Sequence, residues 1–214
     1  MAAINIVAIL GFVITLLCCN PISSLIREKG KEENSQDKSY LVLLWIIFGA
    51  AFVARIIAAA VYKGNDTDMN CFLIWSQNVF DEGISKFYLS DSFHDYPPGY
   101  MYILYVVGAI RALFSWTWDS KASIVLTKLP AIIADMFTAY LIFKIASKRL
   151  KKSGAAFLSA VYLFCPMVIL DSAVWGQTDS VFTVFMVLMC YLITEKKLIL
   201  SYFVFAIGIL IKPQ

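Results

Sequence analysis

Four short stretches hold the residues best suited to chemistry. Asp66-Thr67-Asp68 sets two carboxylates two positions apart, and Trp75 follows seven residues after the second. A carboxylate at a membrane-surface cleft can take the proton of an acceptor hydroxyl as general base. Two carboxylates so spaced can instead share a divalent cation bound to a phosphate, as hard oxygen ligands do. The segment DSFHDYPPGYM, residues 91–101, carries Asp91, Asp95, the only histidine of the chain (His94), Tyr96 and a Pro-Pro-Gly turn. Trp175-Gly176-Gln177-Thr178-Asp179 packs a flat stacking surface, an amide, a hydroxyl and a carboxylate together. That set suits a sugar, its face on Trp175 and its hydroxyls on Gln177 and Asp179. Lys212, in IKPQ, can meet a phosphate as a point charge.

Each has a plainer alternative. Asp66 or Thr67 can cap a helix running from Met69, where Phe72, Trp75 and Val79 recur at helical spacing. Trp175 can belong to an interfacial aromatic belt, with Thr178 or Asp179 as the next helix cap. Lys212 can snorkel to the membrane edge. His94 has no second ligand at metal spacing, so substrate contact or simple exposure fits it better than metal ligation. The chemical reading gains if all four stretches lie on one side of a membrane.

The chain is 60% apolar with a mean hydropathy of +0.75, so lipid is the solvent for most of it. We expect an all-α polytopic membrane protein of about six transmembrane helices plus outer-face juxtamembrane helices, since about 20 apolar residues cross a bilayer. The stretches are 3–20, 40–62, 123–146, 155–171, 180–194 and 197–211. The first lacks a basic start and a small-residue cleavage site, and is expected to be a retained anchor. A net charge of +3 is too small to indicate nucleic acid. The five cysteines lack CxxC spacing, and no Gly-rich phosphate loop or dinucleotide fingerprint occurs.

Basic residues set the orientation, because they concentrate in cytoplasmic loops. IREKGKEENSQDK, KIASKRLKK and EKK are therefore assigned inside. A seventh apolar stretch, 98–117, contains Arg111 and opens on Pro97-Pro98-Gly99; if it crossed, the first two basic loops would fall on opposite sides. It is expected to lie along the outer face. Residues 1–39 then form an anchor and basic cytoplasmic loop, and 40–214 a membrane module with outer loops 63–122 and 171–180. Within the spans, Asp135 falls about midway along its helix and requires a partner or a cavity. Arg55 is the expected partner, in a structural ion pair.

The order DMNCFLIWSQ, DYPPGYMYILY, LPAIIADMFTAYLIFKIASKRL, CPMVILDSAVWGQTDSVF, ILIKPQ resembles bacterial membrane mannosyltransferases related to the second mannosyltransferase of GPI-anchor synthesis. These belong to the glycosyltransferase C superfamily, and the resemblance spans about residues 40–214. It implies the N-terminal module of a glycosyltransferase C fold, in a bacterial cytoplasmic membrane. The implied reaction is inverting transfer of a mannosyl or other hexosyl group from a polyprenyl-phosphate donor to a lipid or glycan acceptor on the outer face. The family's base maps to Asp68, with Trp75 following; its DYPP element to Asp95, Tyr96, Pro97 and Pro98; its second-loop contacts to Trp175, Gln177 and Asp179; its basic residue to Lys212. Asp66 and His94 join the expected substrate contacts. No cofactor is implied, with a divalent cation on Asp66 and Asp68 as the variant. Such enzymes continue beyond KPQ for several helices, so a chain ending at Gln214 is expected to be a truncated product, a fragment, or half of a split gene whose fold a second chain completes. The competing readings are a lipid-linked saccharide flippase, which would use Asp135, and a non-catalytic subunit.

Overall fold

A computed structural model describes residues 39–90 and 93–213, and the expected anchor at 3–20 lies outside them. Helices make up most of the described residues, and no strand occurs among them. The order is α1 (Ser39–Val61), α2 (Asp66–Glu82), the short α3 (Ile84–Phe87), α4 (Pro98–Leu113), α5 (Lys121–Ala146), α6 (Lys152–Leu163), α7 (Pro166–Ile169) continuing into a π-helical segment (Leu170–Trp175), α8 (Asp179–Thr194) and α9 (Leu198–Ile211).

Two helices are long and apolar enough to cross a membrane, over Tyr40–Val61 and Lys121–Ala146. The expected single span at 155–171 is instead a pair bent by 51° between α6 and α7. Pro166 causes the break: it disfavours helical backbone in the residue before it, and Cys165 accordingly adopts ψ 120. Counted as one span, the bent pair gives three candidates among the described residues. α4, α8 and α9 are apolar but shorter.

The two ends of the bundle differ in chemistry. At one end the two described basic loops meet: Lys148 pairs with Glu195, Lys144 and Lys148 lie over the Tyr191 ring, and Lys152 lies over Tyr40. At the other end α1 stops, α5 and α8 begin, α9 finishes, and α2 and α4 pack across them. α2 is amphipathic and buries Met69, Phe72, Leu73, Ser76 and Val79 at the i, i+3, i+4 spacing of one helix face. α4 lies close against it, because a Cβ on Gly108 would stand 2.3 Å from the Ser76 carbonyl oxygen. Arg111, the reason for placing 98–117 outside the bilayer, is buried against α2 and donates to Gln77. At its other end α4 meets α9, where a Cβ on Gly99 would reach 2.5 Å from the Leu210 oxygen.

Inside the bundle, Arg55 Nε donates to Asp135 Oδ2 at 3.0 Å with both side chains fully buried. Ser172 Oγ donates to the same oxygen at 2.6 Å, and the Tyr162 hydroxyl to Oδ1 at 3.3 Å. One carboxylate therefore ties α1, α5, α6 and the π-helical segment together. Three partners at Asp135 leave it serving structure, and the ion pair with Arg55 is the expected one.

Candidate active site

Asp68 owes its freedom to its neighbour. Asn65, rather than Asp66 or Thr67, is the N-cap of α2: its side-chain oxygen accepts from the amides of Thr67 (3.0 Å) and Asp68 (3.2 Å). This satisfies two amides that helix geometry leaves unpaired and leaves the Asp68 carboxylate for other partners. Its Oδ2 accepts from Trp175 Nε1 at 2.8 Å and from Gln177 Nε2 at 2.6 Å.

Those donors arrive through unusual backbone. The chain widens into a π-helical turn at Leu170–Trp175, a local geometry that often re-aims side chains at functional sites, and ends on Gly176 in the left-handed conformation. The Gly176 and Gln177 amides then donate back to the Asp171 carbonyl at 2.9 and 3.0 Å, which closes the turn. Glycine suits this turn because its φ of +87 is one that side chains rarely adopt, and a Cβ there would also press on the Met69 methyl at 2.6 Å.

Asp68 and Gln177 line a cavity of about 440 Å³. α2 contributes Thr67, Asp68, Cys71, Phe72 and Trp75; the loop before α4 contributes Phe93, Asp95 and Tyr96. Asp171, Trp175, Gln177, Asp179 and Lys212 complete the lining. Polar contacts run across it. Tyr96 donates to Gln177 Oε1 and Thr178 donates to Tyr96, both at a long 3.4 Å. Lys212 pairs with Asp179 at 2.6 Å and lies 5.8 Å from the centre of the Tyr96 ring. Burial works against the charged Lys212, but the hydrogen bond and charge of Asp179, together with Tyr96, outweigh it and hold the ammonium above its ordinary value. Burial, then the charges of Asp68 and Asp95, push the Cys71 thiol up.

The structure therefore gathers Asp68, Trp75, Asp95, Tyr96, Trp175, Gln177, Asp179 and Lys212 around one cavity. Trp75 is buried in its wall and spends its indole N–H on the Phe93 carbonyl at 2.9 Å. It braces the loop that carries Asp95 and Tyr96, as does Tyr88, which donates to the Tyr96 carbonyl at 2.8 Å. Two expected residues stand apart. Asp66 has an 81% exposed side chain paired with Lys63 at 2.9 Å, and His94 packs on the rings of Phe87 and Tyr88. Asp66 and Asp68 thus turn to different partners, and among the described residues no group of three or more His, Cys, Asp or Glu side chains is placed to hold a metal ion. Thr178 occupies the cap position of α8, yet its hydroxyl turns to Tyr96.

Sequence reasoning passed over Lys128, whose ammonium lies buried behind the Trp175 turn. A lysine inside an apolar stretch was its only signal. Cys71, three residues after Asp68 and so on the same helix face, was legible in principle.

Residues 95–214, more than half the chain and most of the cavity wall, match the family of dolichyl-phosphate-mannose-protein mannosyltransferases. The chain belongs to that family. Comparison with curated proteins and with solved structures gave no match. A dolichyl-phosphate-mannose-protein mannosyltransferase family member is a membrane glycosyltransferase, and the family implies a lipid-linked sugar as donor. The matched region includes every expected site residue from Asp95 onward; Asp66, Asp68, Trp75 and His94 precede it.

Proposed function

We propose that this cavity is the transfer site of a multi-pass membrane enzyme that moves a mannosyl or related hexosyl group from a polyprenyl-phosphate donor to a lipid or glycan acceptor. The observation that carries the reading is the Asp68 carboxylate, held at Oδ2 by Trp175 and Gln177 on the cavity wall. Oδ1 accepts no hydrogen bond from the described residues, so it can receive the acceptor proton.

The step follows from that placement. The acceptor oxygen attacks the anomeric carbon while its proton passes to Asp68. The bond from that carbon to the phosphate oxygen breaks, and polyprenyl phosphate leaves with the bonding electrons. A single displacement inverts the anomeric centre. Lys212 is the one cation among the lining residues, which include the carboxylates of Asp68, Asp95, Asp171 and Asp179. An anionic phosphate is therefore accommodated beside Lys212, and the carboxylates and Gln177 accept and donate toward sugar hydroxyls. The convergence of both acidic loops at the end opposite the two described basic loops supports an outer-face reaction, and the resemblance supports a bacterial cytoplasmic membrane. Resemblance supports an acceptor of the kind used by GPI-type mannosyltransferases.

The test is transfer by the purified full chain, with polyprenyl-phosphate-mannose and polyprenyl-phosphate-glucose as donors, comparing wild type with Asp68→Asn. Transfer lost in a folded variant supports the base. Undiminished transfer removes Asp68 from the mechanism.

A further inference from the structure

Lys128 lies on α5 with 0% exposure and points its ammonium at three backbone carbonyls. It donates to Tyr62 at 2.7 Å, to Val174 at 2.9 Å and to Ala173 at 3.0 Å. Three acceptors match the three N–H donors of a protonated lysine, whereas a neutral amine has only two. The acceptors sit where two helices end: Tyr62 just follows α1, and Ala173 and Val174 close the π-helical segment. Carbonyls at helix ends lack donors within the helix and carry the negative end of its dipole. One cation therefore serves two helix ends at once.

Those ends lead directly into the proposed site. Tyr62 precedes the turn through Gly64 and Asn65 that starts α2 and presents Asp68. Val174 immediately precedes Trp175, which donates to Asp68. The two segments touch: Gly64 has φ +101, and a Cβ there would stand 2.1 Å from the Trp175 carbonyl oxygen. Lys128 also supports the turn from beneath, since a Cβ on Gly176 would lie 3.1 Å from its Cε.

We propose that Lys128 is a positioning residue of the transfer site. Its ammonium draws the end of α1 and the end of the π-helical segment together, so that Trp175 meets Asp68 with the carboxylate correctly turned. It touches no reacting atom, because its three donors are committed to the backbone. The catalytic part rests on Asp68 being the base; the geometric part does not.

The test measures the indole N–H resonance of Trp175 in the full chain in detergent micelles, assigned by its loss in Trp175→Phe. Lys128→Met keeps an unbranched apolar stem of nearly the same length and removes all three donors. The resonance is expected to move to the position it takes in Asp68→Asn, where the same bond is weakened. Transfer of mannose from polyprenyl-phosphate-mannose should fall about a hundredfold in kcat, with KM for the donor within a few-fold, since small misplacements of catalytic groups cost about that much. A lysine that merely stabilised the bundle would lower the unfolding temperature and leave the resonance in place, and that result overturns the proposal. If Lys128→Met does not fold, Lys128→Gln, shorter and uncharged, should move the resonance part-way; an unmoved resonance overturns it equally. Inactive wild type would count against transfer by this chain alone, while the resonance would still decide the role of Lys128.

Discussion

Asp68 and Trp175 stand 107 residues apart in the chain and 2.8 Å apart in space. Gln177 donates to the same oxygen at 2.6 Å, so the carboxylate is fixed by two donors rather than one. Hydrogen bonds to charged groups contribute about 1.5 to 3 kcal/mol, and 1.4 kcal/mol is about tenfold in rate. Trp175 is half-exposed and solvent weakens its bond, so Trp175→Phe should lower kcat by about tenfold or less. Gln177→Leu should cost more, because Gln177 is less exposed and also accepts from Tyr96. The double variant should lose less than the product of the two, since both act through one oxygen. Transfer kinetics of the three variants check this, and strict multiplicativity would mean that the donors act on different things.

Cys71 reports on the charge of its neighbour. The thiolate is the reactive form, and burial, then Asp68, then Asp95, disfavour it. Alkylation by iodoacetamide should therefore be slow near neutral pH and should speed up only above the range of an ordinary thiol. Asp68→Asn removes one negative charge, lowers the thiol pKa and should accelerate labelling at fixed pH, whether or not the protein turns over substrate. Because Cys71 lines the cavity, a bound donor should protect it. Mass spectrometry of the Cys71 peptide measures both, and equal labelling in wild type and Asp68→Asn would place the two side chains apart.

Among the described residues the helices were legible because apolar run length and 3.6-residue periodicity are carried by many residues at once. The Asp135 partner was legible too, since a buried aspartate leaves few choices and Arg55 lay in a neighbouring run. Three features were not. The break at Cys165 depends on one proline inside a run whose hydropathy barely registers it. The π-helical turn depends on backbone widening that no periodicity announces. The cap of α2 went to Asn65, one position before Asp66, where neighbouring residues of similar capping strength compete and only geometry separates them. Spacing suggested Asp66 and Asp68 as a pair, but residues two apart on a helix point in different directions. Asp66 turns to Lys63 and only Asp68 faces the cavity.

Lys212 should govern donor binding rather than the chemical step. Asp179 and Tyr96 hold its ammonium above the ordinary 10.5 despite burial, so it stays charged through the physiological range. A lysine pKa raised by folding contributes stability below the unfolded value and loses it as pH rises through the folded value, so this ion pair should fail only in strong alkali. Asp179→Asn removes the main support and leaves burial opposed by Tyr96 alone, which should bring that loss down to lower pH. Lys212→Gln should raise KM for the polyprenyl-phosphate donor by about tenfold, the value of one charge-assisted hydrogen bond to phosphate, and Lys212→Arg should largely restore it. Donor saturation curves against pH test all three, and an unchanged KM in Lys212→Gln would place the phosphate elsewhere.

Removing one partner from the Arg55–Asp135 pair should be far worse than removing both. Arg55→Met leaves a fully buried carboxylate with only the hydroxyls of Ser172 and Tyr162, at a cost of about 3 to 5 kcal/mol. Replacing both by apolar residues, as in Arg55→Met with Asp135→Leu, removes the uncompensated charge and should recover most of the unfolding temperature in detergent. Activity should not recover with it. Ser172 loses the acceptor that holds it to α5, and the next residue before it, Asp171, supplies the carbonyl that closes the Trp175 turn. A double variant that is stable yet slow would separate holding the bundle together from aiming the site. One that is stable and fully active would show that Lys128 and the turn position Trp175 without help from Asp135.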